Sequence, residues 1–325
     1  MRGMGGLTKS VSGKTAGALM VIFTLGMLAS CGQRIEAPEE KPWNKELPLP
    51  DSYVFNYERI GFETATDLEL ARGGLLYIAS ADGVTPYYQD VLRGPGWTFD
   101  GIIDPVVVSE APDGHILVAD RGDMNVKVFE SDGGSPVVTF TDSDWAAFGG
   151  LAADDSGTIF VADREMSFVR AYLPDGTPKF TEDIADSGFG LGHVIQPHGL
   201  YYDGRYLWIA DTGKNWIQEV NPDSVQLGLR FLDGYTYEDE EGNEVKLPFS
   251  APVDVATDTD GFVYVTDQGN RRIFKFTQED LAPFTTVNYD TSAGQPPHLR
   301  AMGVNNKSVF AIDDSLGSIL VWDLK

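Results

Sequence analysis

Residues 262–276 read Phe262-Val263-Tyr264-Val265-Thr266-Asp267-Gln268-Gly269-Asn270-Arg271-Arg272-Ile273-Phe274-Lys275-Phe276. An alternating apolar run ends in Asp267, a Gly-Asn turn follows, and a second apolar run resumes at Ile273. That order predicts a tight hairpin. The same ending recurs at Leu117-Val118-Ala119-Asp120, Phe160-Val161-Ala162-Asp163 and Trp208-Ile209-Ala210-Asp211. It returns with one exchange each at Tyr77-Ile78-Ala79-Ser80 and Phe310-Ala311-Ile312-Asp313. The six anchors stand 40 to 56 residues apart. Six residues beyond the acid come Val126, Val169, Ile217, Ile273 and Ile319, and nine beyond it Phe129, Tyr172, Val220, Phe276 and Trp322. Only the first unit breaks the register, with Pro86 and Gln89 at those offsets.

A fixed second-strand offset within periods of that length fits four-stranded propeller blades. The expected fold is an all-β, six-bladed β-propeller. Asp267 to Phe276 closely resembles the NHL repeat, with its D-x-G-N-x-R-I-x-x-F core, and Asp211-Thr212-Gly213-Lys214-Asn215-Trp216-Ile217 is similar to it. Asp-Gly pairs at 113–114, 175–176 and 260–261 fall where that family places its tight turns. The resemblance runs from about Tyr53 to Lys325. The last unit supplies strands near Met302–Val304, Val309–Ile312 and Ile319–Trp322, and lacks a fourth. Tyr53-Val54-Phe55-Asn56-Tyr57 is a spare strand at the start, and pairing the two leaves no open edge in the ring.

The chain has 325 residues, with 24 basic against 49 acidic side chains and a formal charge of -25. Residues 1–30 hold Arg2, Lys9 and Lys14 and no acid, so removing them takes the charge to -28. An acidic body disfavours nucleic acid, which needs a basic face that releases counterions. It equally disfavours electrostatic docking on anionic lipid. The uncharged run Ala16 to Ala29 is shorter than the roughly 20 residues of a membrane span. With its basic flank it reads as an export signal. It ends in Leu28-Ala29-Ser30-Cys31-Gly32, which resembles the bacterial lipoprotein box, and Cys31 is the sole cysteine. The expected organisation is a signal peptide over 1–30, lipidated Cys31 with a flexible tether over 31–50, and the propeller over 51–325. That places the body outside the cytoplasm, lipid-anchored at a bacterial cell envelope, at the outer membrane if the cell is Gram-negative.

The repeated acids Asp120, Asp163, Asp211, Asp267 and Asp313 read as turn-fixing residues, since an Asp after a strand accepts backbone N–H bonds. Departures from the repeat carry more information. Aligning the units puts Ala65, Pro105, Phe148, Pro197, Pro252 and Ala301 at the start of the innermost strands. Among the two residues that follow each of these, Asp67, His198 and Asp254 are polar where the rest are mostly small or apolar. A histidine with two carboxylates is a donor set for zinc, calcium or a transition metal. His198 and Asp254 are the metal-ligand candidates; the other reading makes them channel-wall residues. Loops on the same face add Arg121, Arg164, Lys214 and His298, and arginines can grip a carboxylate bidentately. The ligand-binding candidates are therefore Asp67, His198, Asp254, Arg121 and Arg164. Residues 235–247 read as an inserted, solvated hairpin, and His115 and His193 as surface residues.

Pro197-His198-Gly199-Leu200 resembles a P-H-x-L unit of the peptidyl-hydroxyglycine amidating lyases, and Asp163-Arg164-Glu165 is similar to their D-R-E turns. That resemblance implies zinc held in the channel by histidines from several blades. The aligned positions in the other units are Thr66, Val106, Gly149, Val253 and Met302, which supply none. The motif set of the calcium-dependent lactonase propellers is not found. No Ser-His-Asp order, cysteine nucleophile or phosphate loop marks a catalytic residue. The expected function is a ligand- or protein-binding module with a protein or peptide partner at the envelope. The alternative is a metal-dependent lyase or hydrolase with its site in the channel.

Overall fold

The computed structural model describes residues 53–60, 62, 64–88, 94–239, 241–287 and 297–324, with backbone alone for 53–60 and 324. Within them the chain forms six antiparallel sheets of three or four strands, and two short two-stranded ribbons. The innermost strands are Ala65–Leu70, Pro105–Glu110, Phe148–Ala153, Pro197–Tyr202, Pro252–Thr257 and Leu299–Val304. They touch in that cyclic order, the last returning to the first. The sheets are thus blades 1 to 6 of a β-propeller. Tyr53–Ile60 is the outer strand of blade 6, antiparallel to Ser318–Leu324 from Tyr53 opposite Leu324 to Ile60 opposite Ser318. The spare first strand closes the ring, as expected.

Among the described residues the apolar core is divided. Six apolar clusters each span one seam between neighbouring blades. Between blades 5 and 6, for example, Tyr264 and Ile273 pack with Leu320 and Trp322. The second strands are buried throughout in blades 2, 3 and 4 because both of their faces meet a seam. That explains their near-continuous apolar composition. Burying each large side chain contributes about 1.5–3 kcal/mol, and Trp208, Trp322, Tyr77 and Tyr172 are among the largest fully covered. The offset-nine residues Phe129, Tyr172, Val220, Phe276 and Trp322 all lie inside these clusters. The insertion after Leu232 is a hairpin, Gly234–Glu238 with Glu244–Pro248.

Each anchoring acid ties its hairpin to the linker that leads into the same blade. Asp120 accepts from the N–H groups of Ile103, Asp104 and Gly122. Asp163 accepts from Ala146, Ala147, Glu165 and Met166. Asp211, Asp267 and Asp313 accept from Ile195, Ser250 and His298 respectively. Satisfying these buried donors fixes where each innermost strand starts.

The pairing register corrects one alignment. Ala65, Pro105, Phe148, Pro197 and Pro252 each pair with the anchor of their blade. In blade 6 the partner of Asp313 is Leu299, not Ala301. Every innermost strand then inserts one extra residue before pairing resumes. A bulge of this kind turns a side chain out of the ladder. Immediately after the leading residues come Thr66, Val106, Gly149, His198, Val253 and Arg300, all half-buried around the channel mouth.

Candidate functional site

The channel mouth opens into a cavity of about 380 Å³, walled by the bulge residues and by Asp67, Glu69, Arg121, Phe148, Arg164, Thr212, Asp254, Gln268, His298 and Met302. That is the size of a small-molecule pocket. All five sequence candidates, Asp67, Arg121, Arg164, His198 and Asp254, line it, and one residue absent from that set, Arg300, stands with them.

His198 lies on the bulge of blade 4. Its Nδ1 is 2.7 Å from the Thr212 hydroxyl, which in turn donates to the Pro252 carbonyl of blade 5 at 2.6 Å. Burial pushes the imidazole pKa down to about 4, the charges of Arg164 and then Arg300 push the same way, and the Gln196 carbonyl opposes them. The ring is neutral at physiological pH. Arg164 follows the anchor of blade 3, and Arg300 occupies the bulge of blade 6. Among the described residues neither guanidinium makes an ion pair or a hydrogen bond. Two unmatched cations sit at one mouth of a protein whose net charge is -25.

The other cations of this face are spoken for. Arg121 donates from Nε to Asp104 at 2.8 Å. His298 Nδ1 is 2.5 Å from Asp314. Lys214 is not at the mouth at all. Its ammonium is buried, 3.2 Å from Asp211, and donates to the carbonyls of Gly190 and His193. The expectation that it joins this face is corrected: a buried lysine needs its carboxylate, and Asp211 lies three residues away. Away from the channel, His115 pairs with Asp113 and His193 with Asp186.

Asp67 and Asp254 line the channel, yet their oxygens are occupied. Asp67 accepts from the Val108 N–H at 2.9 Å, in blade 2. Asp254 accepts from Met302 at 2.7 Å, in blade 6, and from Val255 at 2.9 Å. Gly199 exists to let this happen, because a Cβ there would meet Asp254 Oδ1 at 2.2 Å. Burial pushes Asp67 up to about 7 against its backbone hydrogen bonds and the Arg300 charge. Burial, then the charge of Asp67, raises Asp254 well above the carboxylate range. Deeper in, burial and the charges of Glu110, Asp67 and Asp254 push Glu69 up to about 8. Burial thus raises all three acids at the floor of the mouth above their ordinary carboxylate values.

A divalent metal does not fit this donor set. Among the described residues no group of three or more His, Cys, Asp or Glu side chains is placed to hold a metal ion. Asp254 directs both oxygens at backbone donors, Val255 N–H and Met302 N–H, so neither is turned toward His198 as a ligand. No step is derived through a metal here.

Arg300, Thr212 and Glu69 were not singled out from the sequence. Arg300 had a usable signal: from leading residue to anchor the blades measure 14 or 15 residues, and Leu299 to Asp313 matches where Ala301 does not. Cys31, the export signal and the tether lie outside the described residues.

An NHL repeat family model matches residues 249–276, from the linker before blade 5 into its third strand. No curated protein matches the chain. Among solved structures, the streptogramin B lyase structure superimposes with a TM-score of 0.56 at 11% identity, covering 84% of this chain and 98% of that one. The shared feature is the fold. This chain is a β-propeller. At that identity the likeness carries the architecture and nothing about the ligand.

Proposed function

We propose that the propeller is an extracytoplasmic, lipid-anchored binding module that takes an anionic ligand, presented by a protein or peptide partner or free, at the channel mouth. The observation that carries this reading is the pair Arg164 and Arg300, unmatched among the described residues and flanking a neutral His198. In an acidic chain, isolated guanidiniums in a concave site supply local attraction for a carboxylate or similar anion. Anchoring through Cys31 puts that mouth where exported partners pass, and two or more acyl chains give stable attachment. Nucleic acid remains a poor candidate, since the cations form a spot and not a stripe.

The test is binding of acetate, succinate, citrate and inorganic phosphate to the full-length chain in detergent, measured by thermal shift and calorimetry. At least one anion binds saturably, and Arg164→Gln or Arg300→Gln weakens it at least tenfold. Unchanged affinity in both variants would remove the site. The anchor is tested separately: acyl label enters the wild type and not Cys31→Ala.

A second reading, a lyase or hydrolase, is favoured by one observation. His198 is neutral and its Nδ1 is held, which is the state of a general base with a donor-fixed ring. Two adjacent cations could stabilise a developing oxyanion. The streptogramin B lyase likeness extends to the scaffold of such a reading and not to its residues.

A further inference from the structure

The Thr212 hydroxyl has one proton, and the Pro252 carbonyl 2.6 Å away can only accept it. Thr212 therefore meets His198 Nδ1, at 2.7 Å, as an acceptor, and Nδ1 carries the imidazole proton. The relay crosses a seam, from His198 and Thr212 in blade 4 to Pro252 in blade 5. It settles which nitrogen faces the ligand as a lone pair: Nε2. Among the described residues nothing donates a hydrogen bond to Nε2. The mouth thus presents two groups that only donate, Arg164 and Arg300, beside one that only accepts.

A bare anion satisfies half of that pattern. Its oxygens suit the guanidiniums, but against Nε2 they set lone pair on lone pair and leave a half-buried acceptor unmatched, which costs binding. We propose that the ligand of this site is an anion carrying its own O–H or N–H donor next to the charged group, as a 2-hydroxycarboxylate or an N-acylated amino acid does. Thr212 is then a positioning residue: it touches no ligand and decides, through the ring, which ligands are complete. This rests on the anion-site reading and narrows it. The discrimination is of the kind a built hydrogen-bond partner gives and a purely apolar or purely cationic pocket cannot.

Two matched pairs test the idea on the full-length chain in detergent, by calorimetry or ligand-observed NMR. Lactate is compared with propionate, and N-acetylglycine with N-acetylsarcosine, whose amide lacks the proton. The donor-bearing member of at least one pair binds about tenfold tighter or better. Thr212→Val brings that ratio close to one while anion binding persists, and Thr212→Ser, which keeps the hydroxyl, retains it. Equal affinities within both pairs overturn the donor requirement and leave the anion site standing. A ratio that survives in Thr212→Val overturns the relay as its origin. If none of the four binds, and Arg164→Gln and Arg300→Gln are also silent toward the simple anions, the site itself is refuted.

Discussion

Asp67 and Asp254 occupy the same position in blades 1 and 5 and make the same bond. Each reaches across a seam to the N–H of the residue at one equivalent position in the next blade, Val108 at 2.9 Å and Met302 at 2.7 Å. They are inter-blade clamps before they are anything else. Asp254→Asn, which keeps one of the two acceptors and can still take the Met302 N–H, should cost less than a side chain with none. Asp254→Leu should cost about 1–3 kcal/mol, the penalty for stranding a buried donor. Urea unfolding measures both, and equal losses in the two variants would show that the bond is not what matters.

The raised acids set a pH dependence of defined sign. In the unfolded chain Asp67 and Glu69 titrate near 3.8 and 4.5; in the ring they are held at about 7 and 8. Stability from keeping the proton is complete below the unfolded values and is lost as pH rises through the folded ones. The melting temperature should therefore fall between about pH 5 and pH 8. Glu69→Gln should flatten the fall. A melting temperature that climbs over that range in the wild type would contradict the assignment of these groups as protonated.

Ionisation of the same floor should act on the ligand. Above about pH 8, carboxylates at Asp67 and Glu69 place negative charge beneath the cationic mouth and repel an anion. Affinity measured from pH 6 to pH 9 should drop, and Glu69→Gln should hold it up at the alkaline end. A flat profile in both proteins would separate the floor from the mouth.

Gly199 has no room to grow. A Cβ at that position lies 2.2 Å from Asp254 Oδ1 and 2.9 Å from its Cα. Gly199→Ala should destabilise by about 1–3 kcal/mol through overpacking. Combining it with Asp254→Ala should recover part of the loss, a coupling that a double-mutant cycle reads directly.

Metal analysis of the purified chain should find no stoichiometric zinc or calcium tied to His198, and chelator should leave the melting temperature in place. One equivalent of zinc that disappears in His198→Ala would overturn the donor-set argument and favour the enzyme reading.

Much of this was legible in the residues, for a physical reason. The anchoring acids, the Gly-Asn turns and the buried second strands are local, so Asp267 to Phe276 already shows a hairpin and its repeats already show a ring. His198 also stood out as a polar break in an apolar pattern, and Arg164 as a loop cation in an acidic chain. What depends on a neighbouring blade did not. Arg300 was hidden by a two-residue slip in an alignment that strand pairing settles through Leu299 and Asp313. Lys214 read as part of the mouth because its carbonyl partners, Gly190 and His193, arrive from a preceding linker. Asp67 and Asp254 resembled ligands because the backbone N–H groups they hold belong to other blades. The Thr212 relay ends on Pro252, forty residues away.

The closing seam imposes an order in time. Tyr53–Ile60 is made first among the described strands, and its partner Ser318–Leu324 is made last. Every other blade can assemble from strands that are neighbours in sequence, while this strand must wait unpaired until the last described strand is available. Pairing across that sequence separation carries the largest loop-closure cost among the blades, so ring closure is expected to come late and slowly. Until then the exposed edges of the first and last blades are where a chaperone, a protease or a second unfinished chain would find its hold.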